Sequence, residues 1–398
     1  MDPQLIAEFR RRFRAAPSHV VRAPGRVNLI GGHIDYHGLP VLPVALDRDV
    51  RLLFRPRTDG VVRAQTCAAG LAGASFELAT RIPSAELGDW SNYVRGAAQS
   101  MVLERGVDRG LDLLVNSTLP MAVGLSSSSA LAVAASLALA RVNDLELDRV
   151  EFAGQMAVAE RYVGTQGGGM DQAVCLLALA GHAVYVEFLP LTVRPIALPS
   201  DLRVVVAHSL ERVEKSGVAR AAYNDRRRNG ELALALVASH LGLAPNTSYG
   251  ELINQGDIAR QAAAQVLSGS AAGCFRHVVS EARRVAEAVA ALESGDLVTL
   301  GGLMDASHES LRENLEVSTP ALDELVAVAR RAGALGCRLT GAGFGGSAVA
   351  LVAADRVDDV YAALAKEYYQ PRGVADPVSA GSLFTCRASG AATVETLG

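Results

Sequence analysis

The chain has 398 residues, 50% hydrophobic and 20% charged, a globular composition long enough for two domains with a large buried core. A formal net charge of -4 argues against a nucleic-acid partner, because little here would neutralise many phosphates. Cys67, Cys175, Cys274, Cys337 and Cys386 are odd in number, widely spaced and form no CxxC pair, which suggests neither a disulfide framework nor a zinc site and fits a reducing, cytoplasmic compartment.

The N-terminus, MDPQLIAEFRRRFRAAP, is amphipathic and Arg-rich, but Asp2 and Glu8 and the absence of an apolar core segment make it an ordinary first helix. Residues 20–30 read as a strand interrupted by a Pro-Gly turn, and residues 41–54 as two strand segments. Leu111–Val115 is a short buried strand leading into the loop Asn116–Pro120. From Ser127 to Val142 alanine, leucine and serine run without a breaker, which predicts a buried helix. The Ala-rich run is broken by Ser136 and Arg141, so no membrane span is expected. A second helix, Leu147–Val163, carries an apolar stripe through Phe152, Met156 and Val163.

The glycine-dense stretch Gly164–Gly169 must be a loop, feeding a helix from about Met170. Strands at Ala183–Phe188 and Leu202–Ala207 follow, then a helix from about Lys215 to Leu241, in which Arg226 to Arg228 form a solvated basic face. Further helices, a glycine loop at 341–346 and a strand at Ala348–Val352 complete the chain. The composition change over 190–201 marks the domain boundary. Two α+β domains are expected, 1–195 and 196–398, with the active site in the cleft between them.

Three segments carry chemistry. Val123-Gly124-Leu125-Ser126-Ser127-Ser128-Ser129-Ala130 places glycine and small hydroxyls ahead of an apolar helix, so backbone N–H groups and the helix dipole can cradle an anion. No Walker-type GxxxxGK[ST] motif is present. Gly168-Gly169-Met170-Asp171-Gln172 puts an acid at a helix start, either a plain N-terminal signal or a base beside an attacking hydroxyl, with Arg26 as its cation. Leu339-Thr340-Gly341-Ala342-Gly343-Phe344-Gly345-Gly346-Ser347 is a second glycine loop, either a tight turn or a cover for a nucleotide.

Together these segments resemble the three motifs of the GHMP small-molecule kinases, and the galactokinase branch above all. Ala23-Pro24-Gly25-Arg26-Val27-Asn28-Leu29-Ile30-Gly31 with His33-Ile34-Asp35-Tyr36 is similar to that branch's N-terminal signature. Val123 to Leu131 resembles its phosphate loop and Leu339 to Ser347 its third motif. Trp90-Ser91-Asn92-Tyr93-Val94-Arg95-Gly96 and Tyr223-Asn224-Asp225-Arg226-Arg227 resemble further galactokinase segments. The resemblance implies an N-terminal ribosomal-S5-like domain and a C-terminal ferredoxin-like domain, with the last strand able to return to the first domain. It implies transfer of the γ-phosphoryl group of ATP, with Mg²⁺, to the anomeric hydroxyl of a sugar by a monomer or weak homodimer. Asp171 would be the catalytic acidic residue and Arg26 its partner; Ser128 and Glu160 would hold Mg²⁺. Gly124, Leu125, Ser126, Ser127, Ser128, Ser129 and Ala130 would cradle the triphosphate, Gly343 would close over it, and Trp90 and Asn92 would meet the adenine. Gly32, His33, Asp35, Gly169 and Tyr223 would line the sugar site, Asp35 binding the C3 and C4 hydroxyls and His33 lying near C6.

The sugar signature departs from the family at one position: Gly32 stands where galactokinases carry a glutamate that accepts from the C6 hydroxyl. Glycine tolerates a C6 carboxylate that glutamate would repel, and a protonated His33 would attract it. Galactose is the first expectation and galacturonate the alternative. Ile34 and the Gly164–Gln172 run resemble the N-acetylgalactosamine kinase branch and raise a third. A non-catalytic sugar and ATP sensor is the alternative of another class. The full-length phosphate loop with Asp171, Arg26, Ser128 and Glu160 all present argues for catalysis.

Overall fold

The computed structural model describes residues 2–120, 123–164, 167–211 and 218–397. Helix α1 (Pro3–Phe13) begins where Asp2 accepts from the Gln4 N–H at 2.8 Å with Pro3 in the first turn, and it buries Leu5 and Phe9. Strands β1 (His19–Ile30), β2 (Leu42–Pro56), β3 (Val61–Thr66) and β4 (Ala74–Glu77) follow, then helix α2 (Ser91–Arg105) and strand β5 (Leu111–Ser117). Helices α3 (Ser127–Val142), α4 (Arg149–Ala159) and α5 (Met170–Leu177) complete this half. From Ser129 to Val142 every residue of α3 except Arg141 is buried, as a helix apolar on all faces must be; it packs beneath β1 and β2 and against α2.

The first sheet has the order β12-β1-β2-β5-β3-β4, the last strand β12 (Thr393–Thr396) lying antiparallel to β1. β1 does not break at Pro24-Gly25. The strand runs on through a register shift between Pro24 and Arg26, because a bulge accommodates a residue without an N–H. A Cβ on Gly25 would stand 2.4 Å from Leu119 Cδ2 and 2.9 Å from the Leu125 carbonyl, so only glycine lets the phosphate loop cross here. β2 is one strand rather than two. The expected second helix ends at Ala159, and Glu160–Val163 tighten into a 3₁₀ turn.

The segment 190–201, expected to mark the domain boundary, is largely a strand. It holds β7 (Leu191–Ala197), which pairs with β6 (His182–Phe188) in a two-stranded ribbon whose free edges tolerate Pro195. The second sheet, β11-β8-β10-β9, is antiparallel and formed by β8 (Leu202–His208), β9 (Gly336–Thr340), β10 (Ser347–Ala353) and β11 (Leu383–Cys386). Between β8 and β9 run α6 (Val218–His240), α7 (Tyr249–Ile253), α8 (Asp257–Val266), α9 (Gly269–Ser294), α10 (Leu297–Glu313) and α11 (Pro320–Arg331). The expected start of α6 near Lys215 lies outside the described residues, as do Thr165 and Gln166 of the glycine loop. Helices α11 and α12 (Val357–Ala363) cover the second sheet, with Leu325, Val360 and Tyr368 in its core. No helix among the described residues is long and apolar enough to cross a membrane. The five cysteines are unpaired thiols.

Candidate active site

Four elements bring the catalytic candidates together. The bulge in β1 turns Arg26 inward, where it is 7% exposed. Its Nε donates to Asp171 Oδ1 at 2.6 Å and its Nη1 to the Gly124 carbonyl at 2.9 Å. Asp171 sits in the first turn of α5, where the positive end of the helix dipole favours a carboxylate. The hydroxyl of Ser126 donates to Asp171 Oδ2 instead of capping its own helix α3. Ser126 holds φ 57°, a left-handed conformation costly for serine and typical of functional loops. Arg26, Asp171, Gly124 and Ser126 therefore form one hydrogen-bonded unit.

Glu160 opens the 3₁₀ turn after α4 and faces the cradle from the other side. Ser129 donates to Glu160 Oε1, and its hydroxyl also lies 3.2 Å from Asp171 Oδ2. The expected Ser128 lines the larger cavity beside this pair. Among the described residues no group of three or more His, Cys, Asp or Glu side chains could hold a metal alone. Glu160 and the two hydroxyls are hard oxygen donors of the kind Mg²⁺ takes when it shares its shell with water and phosphate.

Two cavities meet at this unit. One, of about 960 Å³, is lined by Thr66, Leu87, Trp90, Asn92, Leu125 and Ser127 among others. The other, of about 110 Å³, is lined by Arg26, Gly32, His33, Asp35, Asp171 and Tyr223 among others. Gly124, Ser126 and Arg220 line both. Trp90 and Asn92 face the larger cavity, but their polar groups hold the wall: Trp90 Nε1 donates to the Ala72 carbonyl at 2.9 Å, and the Asn92 amide bonds Ala85 and Glu86. Gly343, expected over the nucleotide, packs against Val317 instead; from its loop Gly341 and Ala342 reach the small cavity.

In the small cavity Asp35 accepts from the Gly168 N–H at 3.0 Å. A Cβ on Gly168 would stand 2.2 Å from the Asp35 carbonyl carbon, so this glycine is what lets the two loops touch. Burial, and then the charge of Asp171, push the Asp35 carboxyl up to about 6. His33 sits at φ 61° between Tyr36 (Nδ1 to hydroxyl, 3.0 Å) and the Ala342 carbonyl (Nε2, 3.1 Å), its ring 5.3 Å from that of Tyr223. Burial holds His33 down to about 3, with nearby His277 and Arg338 adding to the effect. It is neutral at physiological pH, so the expected attraction of a protonated His33 for a carboxylate does not arise.

Several residues at this cavity had no sequence signal of their own. The backbone N–H groups of Gly31 and Gly32 donate to Glu281 Oε1 at 2.9 and 3.1 Å, and His277 Nε2 donates to the Gly32 carbonyl at 2.8 Å, both from α9. Among the described residues, Asn28 Oδ1, Gln172 Nε2 and Arg338 Nε and Nη1 are buried without a hydrogen-bond partner, and all three residues line the cavity. Orphaned polar atoms around one small space are what a polyhydroxylic ligand would satisfy.

A two-domain α+β fold with a serine-rich anion cradle between a wide cavity and a small polar one defines a small-molecule kinase of the GHMP type. Family models match the galactokinase galactose-binding signature over residues 7–56, the GHMP kinases N terminal domain over 92–178 and the GHMP kinases C terminal domain over 288–370. The galactokinase of Chloroflexus aurantiacus is 40% identical over 366 residues, covering 92% of this chain and 91% of that one. The galactokinase of a Roseiflexus species is 38% identical over 392 residues, covering 97% and 95%. The solved structure of Lactococcus lactis galactokinase complexed with galactose matches with a TM-score of 0.84 at 27% identity, covering 98% of both chains. A mevalonate kinase from L. major, at 22% identity and a TM-score of 0.62 over 93% of this chain and 96% of that one, shares the fold. The chain belongs to the galactokinase family and is a sugar kinase.

Proposed function

We propose that the chain transfers the γ-phosphoryl group of MgATP to the anomeric hydroxyl of a galacto-configured sugar, galactose being the substrate that its relatives' names supply. One observation carries the reading: Asp171, held by Arg26 and Ser126, stands where the wide and the small cavity share Gly124, Ser126 and Arg220. A donor in the first and an acceptor in the second would meet at a carboxylate.

Phosphoryl transfer asks the protein mainly for positioning and charge neutralisation. The backbone at the start of α3 and the hydroxyls of Ser127 and Ser128 would provide donors for phosphate oxygens. Arg220, lining both cavities, supplies a cation at the seam. Glu160 with Ser129 and Ser128 would hold Mg²⁺, which would neutralise phosphate charge there. Asp171 receives the proton of the attacking hydroxyl or stabilises it electrostatically, and Arg26 keeps the carboxylate oriented. Asp35 accepts from sugar hydroxyls, and Tyr223 forms one wall.

The test is ADP release coupled to product analysis on a panel of sugars, mevalonate and homoserine. A sugar 1-phosphate from a galacto-configured acceptor is the expected product. Binding of ATP and sugar without turnover, or turnover of a non-sugar alone, overturns the reading.

A further inference from the structure

The wall of the small cavity behind Gly32 carries an excess of positive charge. Glu281 is its carboxylate and is fully committed: Oε1 accepts from Gly31, Gly32 and, at 2.6 Å, Ser307, while Oε2 accepts from Arg284 at 2.8 Å. Arg338, 1% exposed, comes no nearer to Glu281 than 3.9 Å from Nη1, beyond hydrogen-bonding range. Two arginines thus share one acid, and the guanidinium of Arg338 keeps Nε and Nη1 without acceptors. Burial pushes Arg338 down to about 10, so it stays charged at neutral pH.

Position 32 decides where that guanidinium sits. A Cβ on Gly32 would stand 2.4 Å from Arg338 Nη2, so any side chain there would displace it from the cavity wall. A buried, under-satisfied guanidinium matches a carboxylate, which offers two acceptors in one plane and a compensating charge. A neutral hydroxyl offers less. We propose that Arg338, seated in the space that Gly32 leaves open, is a specificity-determining residue of the acceptor site and selects a sugar carrying a carboxylate over the neutral hexose. The proposal rests on the anomeric kinase reading above, and that reaction fixes where the carboxylate is. Oxidation at C1 would remove the anomeric hydroxyl, so the acid must be at C6, a hexuronate, and in the galacto series D-galacturonate.

The experiment compares D-galacturonate, its methyl ester and D-galactose by kcat/KM with MgATP, and by calorimetric binding without nucleotide. In the unmodified chain galacturonate is expected to exceed both neutral sugars by on the order of ten- to a hundredfold, the range of a charge-assisted bidentate contact. In Arg338→Met that ratio should fall to about one, and in Arg338→Lys part of it should return. Equal kinetics for acid and ester, or a preference that survives Arg338→Met, overturns the proposal while the kinase reading stands. If no sugar is turned over, the kinase reading fails and calorimetry decides the rest: tighter binding of acid than ester, lost in Arg338→Met, supports the carboxylate site, and equal binding overturns it. Should Arg338→Met not fold, Gly32→Ala displaces the guanidinium without adding a charge; loss of the acid preference supports the proposal and its retention overturns it.

Discussion

Asp171 receives the Nε of Arg26 at 2.6 Å across 145 positions of sequence, and the same guanidinium reaches the Gly124 carbonyl at 2.9 Å. One side chain therefore ties the acid to the phosphate loop. A positioned base contributes about 10²–10⁴-fold, so Asp171→Asn should lower kcat by that range and change the KM for sugar little. Near-full kcat in the variant, measured by ADP release, removes Asp171 from the chemistry. Arg26→Lys keeps a charge but cannot reach both partners, so it should lose activity as well.

Asp35 gives the site its pH dependence. Its carboxyl titrates near 6 in the folded chain against 3.8 for the free group, burial being the larger cause and the charge of Asp171 the next. As pH falls through about 6 the acceptor is protonated, and kcat/KM for sugar should drop by up to about tenfold per unit. Stability runs the other way. The folded state binds this proton more tightly than the unfolded one, so the ligand-free protein loses stability as pH rises from about 4 to about 6. Asp35→Asn should raise Tm by a few degrees at pH 7.5, the gain vanishing toward pH 4, while sugar turnover falls. A Tm difference independent of pH would show that burial of this charge is not the cause.

Glu160 separates a metal role from a scaffold role. Mg²⁺ takes one or two carboxylates together with phosphate oxygens, and the Ser129 hydroxyl already orients Glu160. Glu160→Gln should raise the free Mg²⁺ needed for half-maximal rate by on the order of tenfold at fixed ATP. Superimposable Mg²⁺ curves for the two proteins assign Glu160 to the scaffold alone.

Local patterns carried much of the fold and the donor side of the site. The breaker-free run of α3 and the glycine that opens α5 are one-segment signals, and the structure places Ser127–Val142 and Met170 where the sequence puts them. The misses have physical reasons. Pro24-Gly25 signals a turn, yet a bulge absorbs both residues and keeps β1 continuous. The composition change over 190–201 gave no strand signal, yet β7 forms there, because an edge strand needs no N–H from Pro195. Glu281 and His277 fix Gly31 and Gly32 from some 245 positions or more away, and no local pattern announces such a contact. Arg338 lay one residue outside the third glycine motif, and its proximity to Gly32 exists only once β9 is placed against the first domain.

The third glycine loop comes close to the cradle at Gly341. Gly341 holds φ 83°, and a Cβ there would stand 2.9 Å from the Gly124 carbonyl and 3.1 Å from Gly124 Cα. Both atoms are backbone, so the phosphate loop itself must move to admit an alanine. Gly341→Ala should therefore raise the KM for ATP by on the order of tenfold and lower stability by about 1–3 kcal/mol. Gly343 is a useful contrast: it holds φ 77°, and its Cβ would meet the Val317 carbonyl at 2.3 Å, away from the cradle. Gly343→Ala should cost at least as much in Tm and shift the KM for ATP less. If the two variants change KM and Tm in the same proportion, the contact between Gly341 and Gly124 does not position the cradle, and the loop serves only to join β9 to β10.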